Sequence, residues 1–329
     1  RGGGMTVASP ASLYSDLAVD ATPDAPLGQE TWYGIGGSAD VLIRPHTIEA
    51  LQILMRRCFR DGVPLRVLGS GANLLVDDEG VDGVVVKLDT PALKAVEWNA
   101  DGLVERMRVF GGAQLEPLIH ECSRRGLRGI EQMAGIPASL GGAIRMNAGG
   151  KFGAIGDSVD AVAVLHAHGE IRVYTRDELH FGYRETLLKD HTGATTALEG
   201  IIVWASLRMR NDDPVECRAR VREIFAYKAS TQPMAAASAG CMFRNPTMPD
   251  GRVESAGRLI DLAALKGRRV GGAFVSTTHG NFLAVDRGAR TEDMRQLVEV
   301  VQSEVLAKFG VALRTEVVFW KRGDSTTAL

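Results

Sequence analysis

The sequence predicts an α+β protein built from two or three packed units. Three observations carry that prediction. The chain has 329 residues, more than one ordinary small domain holds. Short apolar runs of strand length alternate with helical patterns that bring their own start and stop signals. Late in the chain, Asn211-Asp-Asp-Pro214 interrupts the pattern as a linker does.

The elements follow in order. The stretch from residue 1 to Leu27 is small, polar and proline-containing, and reads as a loosely held tail. Asp40–Arg44 is a short apolar strand closed by Pro45. A helix from about Thr47 to Asp61 follows, with Ile48, Leu51, Leu54, Met55 and Phe59 on one face, Thr47 as its cap and Gly62 as its end. Leu65–Leu68 and Val84–Leu88 are further strands, which completes a first unit over residues 28–95. A second unit, 96–211, opens with a strand at Val104–Phe110 and a turn at Gly111-Gly112. Its helix, Leu115–Arg125, stops at Gly126, and its later strands are Ala161–His166, Glu170–Tyr174 and Ile201–Met209. The third unit, 212–322, has helices from Pro214 to about Ser230 and from about Thr291 to Phe309, then a strand at Arg314–Trp320. Residues 323–329 are read as a terminal tail.

Composition narrows the function. The formal net charge is −2, so no basic surplus calls for nucleic acid. No apolar run is long enough to span a bilayer. The four cysteines, Cys58, Cys122, Cys217 and Cys241, form no CxxC pair, so neither a zinc knuckle nor a disulfide framework is expected, and a reducing, cytoplasmic setting is the simplest reading.

Three glycine-rich segments carry the chemistry. Leu68-Gly-Ser-Gly-Ala-Asn-Leu-Leu-Val76 directly follows a buried strand, and successive N–H groups in such a turn make a concave anion site suited to a pyrophosphate. It lacks the third glycine of GxGxxG, which disfavours the Rossmann dinucleotide reading, and an ordinary strand-to-loop turn explains it about as well. Gly135-Ile-Pro-Ala-Ser-Leu-Gly-Gly-Ala143 and Met146-Asn-Ala-Gly-Gly150 combine glycine density with interleaved apolar residues, which fits backbone pressed against a flat ligand better than a solvated loop. Thr31–Asp40 adds a third cluster.

These segments, in this order, resemble the UDP-N-acetylenolpyruvoylglucosamine reductases (the MurB family). The likeness runs from about Thr31 to Trp320. It implies a two-part FAD-binding module of the p-cresol methylhydroxylase/vanillyl-alcohol oxidase type, plus a C-terminal α+β substrate domain. It implies noncovalent FAD, NADPH as reductant and UDP-N-acetylglucosamine enolpyruvate as substrate, in a chain expected to be monomeric. No extra tyrosine-bearing loop fits between Arg184 and Cys241, so the shorter, type II branch is implied. By the same resemblance the cofactor lies against Tyr33, Gly36, Gly69, Ser70, Gly71, Ala72, Asn73, Leu74, Gly135, Ile136, Pro137, Ser139, Gly141, Gly142, Ala143, Asn147 and Gly149.

The catalytic residues also come from the resemblance. Phe181-Gly-Tyr-Arg-Glu matches the family's Tyr-Arg segment and makes Arg184 the catalytic arginine, although composition alone favours a surface arginine paired with Glu185 or Asp190. Ser238-Ala-Gly-Cys-Met-Phe-Arg-Asn-Pro246 puts Cys241 where many members carry the proton-donating serine. A thiol with an ordinary pKa of ~8.5 stays mostly protonated at neutral pH, while a cation such as Arg244 would lower that value. The bland alternative is a small core cysteine. Leu313-Arg-Thr-Glu-Val-Val-Phe319 supplies Glu316 as the third member, and Val318 stands where many relatives have arginine. Tyr183, Lys228 and Asn245 fall where relatives hold the substrate, whereas Leu259-Ile-Asp and His279-Gly-Asn-Phe-Leu are assigned to packing. The competing readings are an alcohol or sugar oxidase on the same FAD scaffold and a non-enzymatic UDP-sugar-binding regulator.

Overall fold

The computed structural model describes residues 10–103, 105–188 and 200–324. The first unit is a mixed four-stranded sheet. Its strands are β1 (Val19–Pro26), β2 (Ser38–Pro45), β3 (Leu65–Leu68) and β5 (Val81–Lys87), in the order β1-β2-β5-β3, while the short β4 (Leu74–Val76) lies outside the sheet. Helix α1 (Ile48–Asp61) connects β2 to β3. Thr47 caps it by accepting the Ala50 N–H, and Gly62 ends it in the left-handed region at φ 63°. Leu51, Leu54, Met55 and Cys58 form its buried stripe. Phe59, expected on that face, is 52% exposed because it falls roughly 90° around the helix from the stripe's centre.

The expectation of a loose tail up to Leu27 fails from Pro10 onward. β1 pairs antiparallel with β2 from Val19↔Pro45 to Pro26↔Ser38, and Leu13 and Leu27 are buried. As an edge strand β1 buries little of its length, so its polar, proline-containing sequence hides it. Residues 1–9 and 325–329 lie outside the described residues.

The second unit is an antiparallel sheet of β6 (Val96–Glu97), β7 (Arg106–Phe110), β11 (Val159–Leu165), β12 (Ile171–Thr175) and β13 (Ile201–Arg208), ordered β12-β11-β13-β7-β6. Between β7 and β11 come α2 (Leu115–Arg124), β8 (Leu127–Arg128), α3 (Leu140–Arg145) and the hairpin of β9 (Gly149–Gly150) and β10 (Gly153–Ala154). The turn of helix α4 (Arg176–Leu179) follows β12. Ile202, Ala205 and Leu207 share a core with α2 and α3, whereas Ile201, Val203 and Leu165 join the core of the first unit. The two units are therefore fused through opposite faces of one sheet.

The third unit follows β14 (Arg210–Asn211) and α5 (Pro214–Thr231), whose start is set by Asp213 accepting the Val215 N–H and by Pro214 in the first turn. It is the antiparallel sheet of β15 (Ser238–Cys241), β16 (Arg269–Val270), β17 (Ala273–Val275) and β18 (Phe282–Val285), ordered β15-β18-β17-β16 and covered by α6 (Ala256–Leu262) and α7 (Thr291–Phe309). Only Val318–Trp320 of the expected final strand forms a ladder, as β19, and it does so in parallel with β4 of the first unit. Residues just before it pair elsewhere: Thr315 bridges Phe243, and Arg314 accepts the Arg244 N–H. This segment thus stitches the third unit to the first. Among the described residues, no helix is long and apolar enough to cross a membrane, and no cluster of metal-ligating side chains occurs.

Candidate active site

The stitch places Glu316 at a seam. Its N–H donates to Met242 O (2.7 Å), and its carbonyl accepts from Asn73 Nδ2 (3.1 Å). Val318 N–H then donates to Asn73 O (3.0 Å). Backbone bonds on both sides thus fix where the carboxylate projects. Its Oε1 accepts from Arg184 Nε at 2.7 Å, and Arg184 Nη2 donates to Gly149 O at 2.7 Å. The two side chains are only 19% and 14% exposed, so the pair is shielded from much of the solvent screening that weakens surface ion pairs. Of the alternative partners suggested by sequence, Glu185 lies 3.7 Å from Arg244, and Asp190 is outside the described residues.

Arg184 has φ 57°, a left-handed backbone unusual for a residue with a side chain. The turn that imposes it is closed by the Gly182–Glu185 bridge and tethered by Asn147 Nδ2 donating to Gly182 O (2.6 Å). Tyr183 is exposed at the rim, with the Arg184 guanidinium 5.4 Å from its ring centre.

Cys241 ends β15, after Gly240 in the left-handed region. It is partly accessible yet ringed by protein. Burial pushes its thiol up to about 12, and the Glu316 carboxylate acts in the same direction. The Arg184 guanidinium and the nearby Asn281 amide oppose the rise. The thiol therefore keeps its proton at neutral pH. Arg244, expected to be the neighbouring cation, lies toward Glu185 instead, and Arg184 is the guanidinium whose charge reaches the sulfur.

Beside this trio run the glycine-rich turns. Among the described residues, the N–H groups of Ser70, Gly71, Ala72 and Asn73 donate to no protein acceptor. Four successive free donors in a side-chain-poor turn suit a diphosphate. Gly71 has φ 66°, and a Cβ there would stand 2.1 Å from Glu30 O, so the turn closes only with glycine. Gly69 lets Ser139 approach: a Cβ would come within 2.6 Å of its Oγ, which caps α3 by accepting the Gly142 N–H. The two turns, one from each of the first two units, are thereby brought into contact.

Comparison with known proteins fits this geometry. A family model described as an FAD binding domain matches residues 39–175, and one described as the C-terminal domain of UDP-N-acetylenolpyruvoylglucosamine reductase matches 232–320. A UDP-N-acetylenolpyruvoylglucosamine reductase of Desulfosudis oleivorans is 37% identical over 295 residues, covering 89% of this chain and 92% of the relative. One of Bacillus licheniformis is 37% identical over 292 residues, covering 89% and 91%. The crystal structure of UDP-N-acetylenolpyruvylglucosamine reductase from Thermus caldophilus superposes with a TM-score of 0.72 at 37% identity, over 92% of this chain and 98% of that one. The chain belongs to the UDP-N-acetylenolpyruvoylglucosamine reductase family.

Within this reductase, several residues expected at ligands have other duties. Tyr33 is buried in the core of the third unit, its hydroxyl donating to Leu283 O (3.3 Å), because Thr31–Asp40 packs under that unit as well as against the glycine turn. Leu74 faces the core shared with Leu42, Val85 and Trp320, as the alternation of a buried strand requires. Asn147 has both ends of its amide bonded, to Gly182 O and to the Gly156 N–H. Gly36 backs onto Val76, and Gly141 donates its N–H to Gly111 O. Ile136 packs partly against the core of the second unit, beside half-buried Pro137, while Ala143 is buried within α3. Lys228 is buried, and its ammonium donates to Ala134 O (2.6 Å) and Gln132 O (3.3 Å), which clamps the turn at Gly135. Asn245 accepts the Ala256 N–H at the start of α6, and its backbone lies near the Tyr183 hydroxyl. Sequence reasoning missed Gln114, which accepts a hydrogen bond from Ser70 Oγ (2.7 Å), and Asn281. No local pattern marks the former, whereas the latter lay in a motif set aside as packing.

Proposed function

We infer that this chain catalyses the NADPH-dependent reduction of UDP-N-acetylglucosamine enolpyruvate to UDP-N-acetylmuramate in peptidoglycan precursor synthesis. The observation that carries the reading is the Arg184–Glu316 pair, whose charges both act on a protonated Cys241 beside the row of free amides. The family uses FAD and NADPH. The Ser70–Asn73 amides would hold the FAD diphosphate, with the Gly135–Ala143 segment as the facing wall. No cysteine or histidine lies in these turns to tether it covalently. When bound, FAD supplies hydride chemistry between NADPH and C3 of the enolpyruvyl group.

The residues of the chain do the rest. As hydride reaches C3, negative charge moves onto C2 and the carboxylate. Arg184, always charged and aligned by Glu316, stabilises that charge. Cys241 delivers its proton to C2 and completes the lactyl group. Tyr183 and Asn245 form the rim where the sugar nucleotide rests. Lys228 holds the turn beneath it and adds positive charge nearby. All of these groups belong to one chain, so a single copy suffices.

The test is anaerobic. NADPH should bleach the bound flavin, and the enolpyruvyl sugar nucleotide should restore its colour in proportion to product formed. Bleaching without restoration would reject the reductase reading. A colourless protein that takes up no FAD would favour the regulator.

A further inference from the structure

We propose that Asn281 is a positioning residue for Cys241: its side-chain amide, laid along the irregular edge of β15, stands in for a strand partner just after the thiol and so fixes where the thiol stands. The proposal rests on the reading of Cys241 as the proton donor.

The ladder between β15 and β18 runs from Ser238↔Ala284 to Cys241↔Phe282, with a shift of register between them. Beyond such a shift, backbone pairing alone does not continue regularly. Met242 N–H still reaches Asn281 O (2.8 Å). The next residue is served by a side chain instead: Phe243 N–H donates to Asn281 Oδ1 (2.9 Å), and Asn281 Nδ2 donates to Phe243 O (2.7 Å). Bonding both ends of one primary amide to the N–H and C=O of one residue imitates a strand partner. Asn281 is 3% exposed, and its own N–H is held by His279 Nδ1 (3.2 Å).

The same amide lies near the Cys241 sulfur and eases, as a neighbouring N–H donor does, the rise that burial imposes on the thiol. The opposite edge of residues 242–244 is clamped by Glu316 N–H on Met242 O (2.7 Å) and Arg244 N–H on Arg314 O (2.9 Å). Asn281 therefore braces, from behind, the strand that presents the thiol and anchors the backbone of Glu316.

The experiment compares Asn281→Asp and Asn281→Ser with wild type as FAD-loaded enzymes. Asp keeps the shape but replaces the donating NH₂ with an acceptor that faces Phe243 O. Reduction of flavin by NADPH and the KM for the sugar nucleotide should stay near wild type. Reoxidation of reduced flavin by the enolpyruvyl substrate should slow by about ten- to a hundredfold, the usual loss when an orienting neighbour is removed. In a Cys241→Ala background the same substitutions should cost nothing further, since both act at one step. Equal losses in the two backgrounds would overturn the proposal. So would failure of both variants to fold and hold flavin, which would leave Asn281 a purely structural role. If Asn281→Asp alone does not fold, Asn281→Ser gives the same reading. A wild-type enzyme that ignores the sugar nucleotide would reject the reaction itself, and this proposal with it, and its own trace tells the two failures apart.

Discussion

Arg184→Lys tests the centre of the site, because it keeps the charge and removes only the fork. The guanidinium makes two directed bonds, Nε to Glu316 Oε1 and Nη2 to Gly149 O, both at 2.7 Å. A lysine ammonium, set on a flexible stem, can keep one of them but cannot span both in the same plane. A hydrogen bond to a charged group is worth about 1.5–3 kcal/mol. At about 1.4 kcal/mol per tenfold, losing one costs roughly 10- to 100-fold in alignment alone. A misaligned cation also stabilises the developing carboxylate charge less well, and loss of one such stabiliser typically costs about 10²–10³ in rate. Turnover should therefore fall at least about a hundredfold. Because the left-handed backbone at this position burdens lysine as it does arginine, the change reports the head group rather than strain. The assay is a pair of anaerobic half-reactions. Flavin reduction by NADPH should be nearly unchanged, while reoxidation by the enolpyruvyl substrate should carry the whole loss. A variant that turns over within threefold of wild type would refute the argument that two fixed bonds aim this cation.

Cys241→Ala should bind FAD and accept hydride from NADPH yet lose most turnover, and Cys241→Ser should retain activity; undiminished turnover in the alanine variant would remove the thiol from the mechanism. Because burial pushes the folded thiol up to about 12, well above its ordinary value, it stays protonated through neutral and mildly alkaline pH. Any alkaline limb of kcat below pH ~10 should therefore be shared by Cys241 and its serine variant, and a limb found only with cysteine would contradict this. Burial, and to a lesser degree the Arg184 charge, lower Lys228 to about 8 from 10.5. Between those values the unfolded chain binds the extra proton, so stability should rise with pH from about 8 to 10.5. Urea unfolding of Lys228→Met should lack that rise, and its flavin should be held more weakly because the clamp on Ala134 and Gln132 is gone. Gly71→Ala meets both a left-handed backbone and Glu30 O, so it should lose more than about 1 kcal/mol of stability together with flavin affinity. Fluorescence titration with FAD and a melting curve would check both.

The legible parts of this protein are those written locally. The ends of α1 follow from Thr47 and Gly62, and α7 runs from Thr291 to Phe309 as its pattern indicates, with Gly310 as its left-handed stop. A cap and a stop act through neighbours three or four residues away, so a linear sequence displays them. The glycine turns and the three catalytic candidates were legible for another reason: their ordered motifs resemble those of a known family. Sequence could not show which side of a turn a residue faces. Arg184 and Glu316 are 132 positions apart, and only the stitch of residues 314–320 between β15 and β4 brings them to 2.7 Å. Tertiary packing likewise decides that Tyr33 fills a core, that Lys228 props a turn, and that Asn281 braces the strand behind the thiol. Each of these is a choice between hydrogen-bond partners offered by distant strands. The choice is made by which backbone groups the packed sheets leave unpaired.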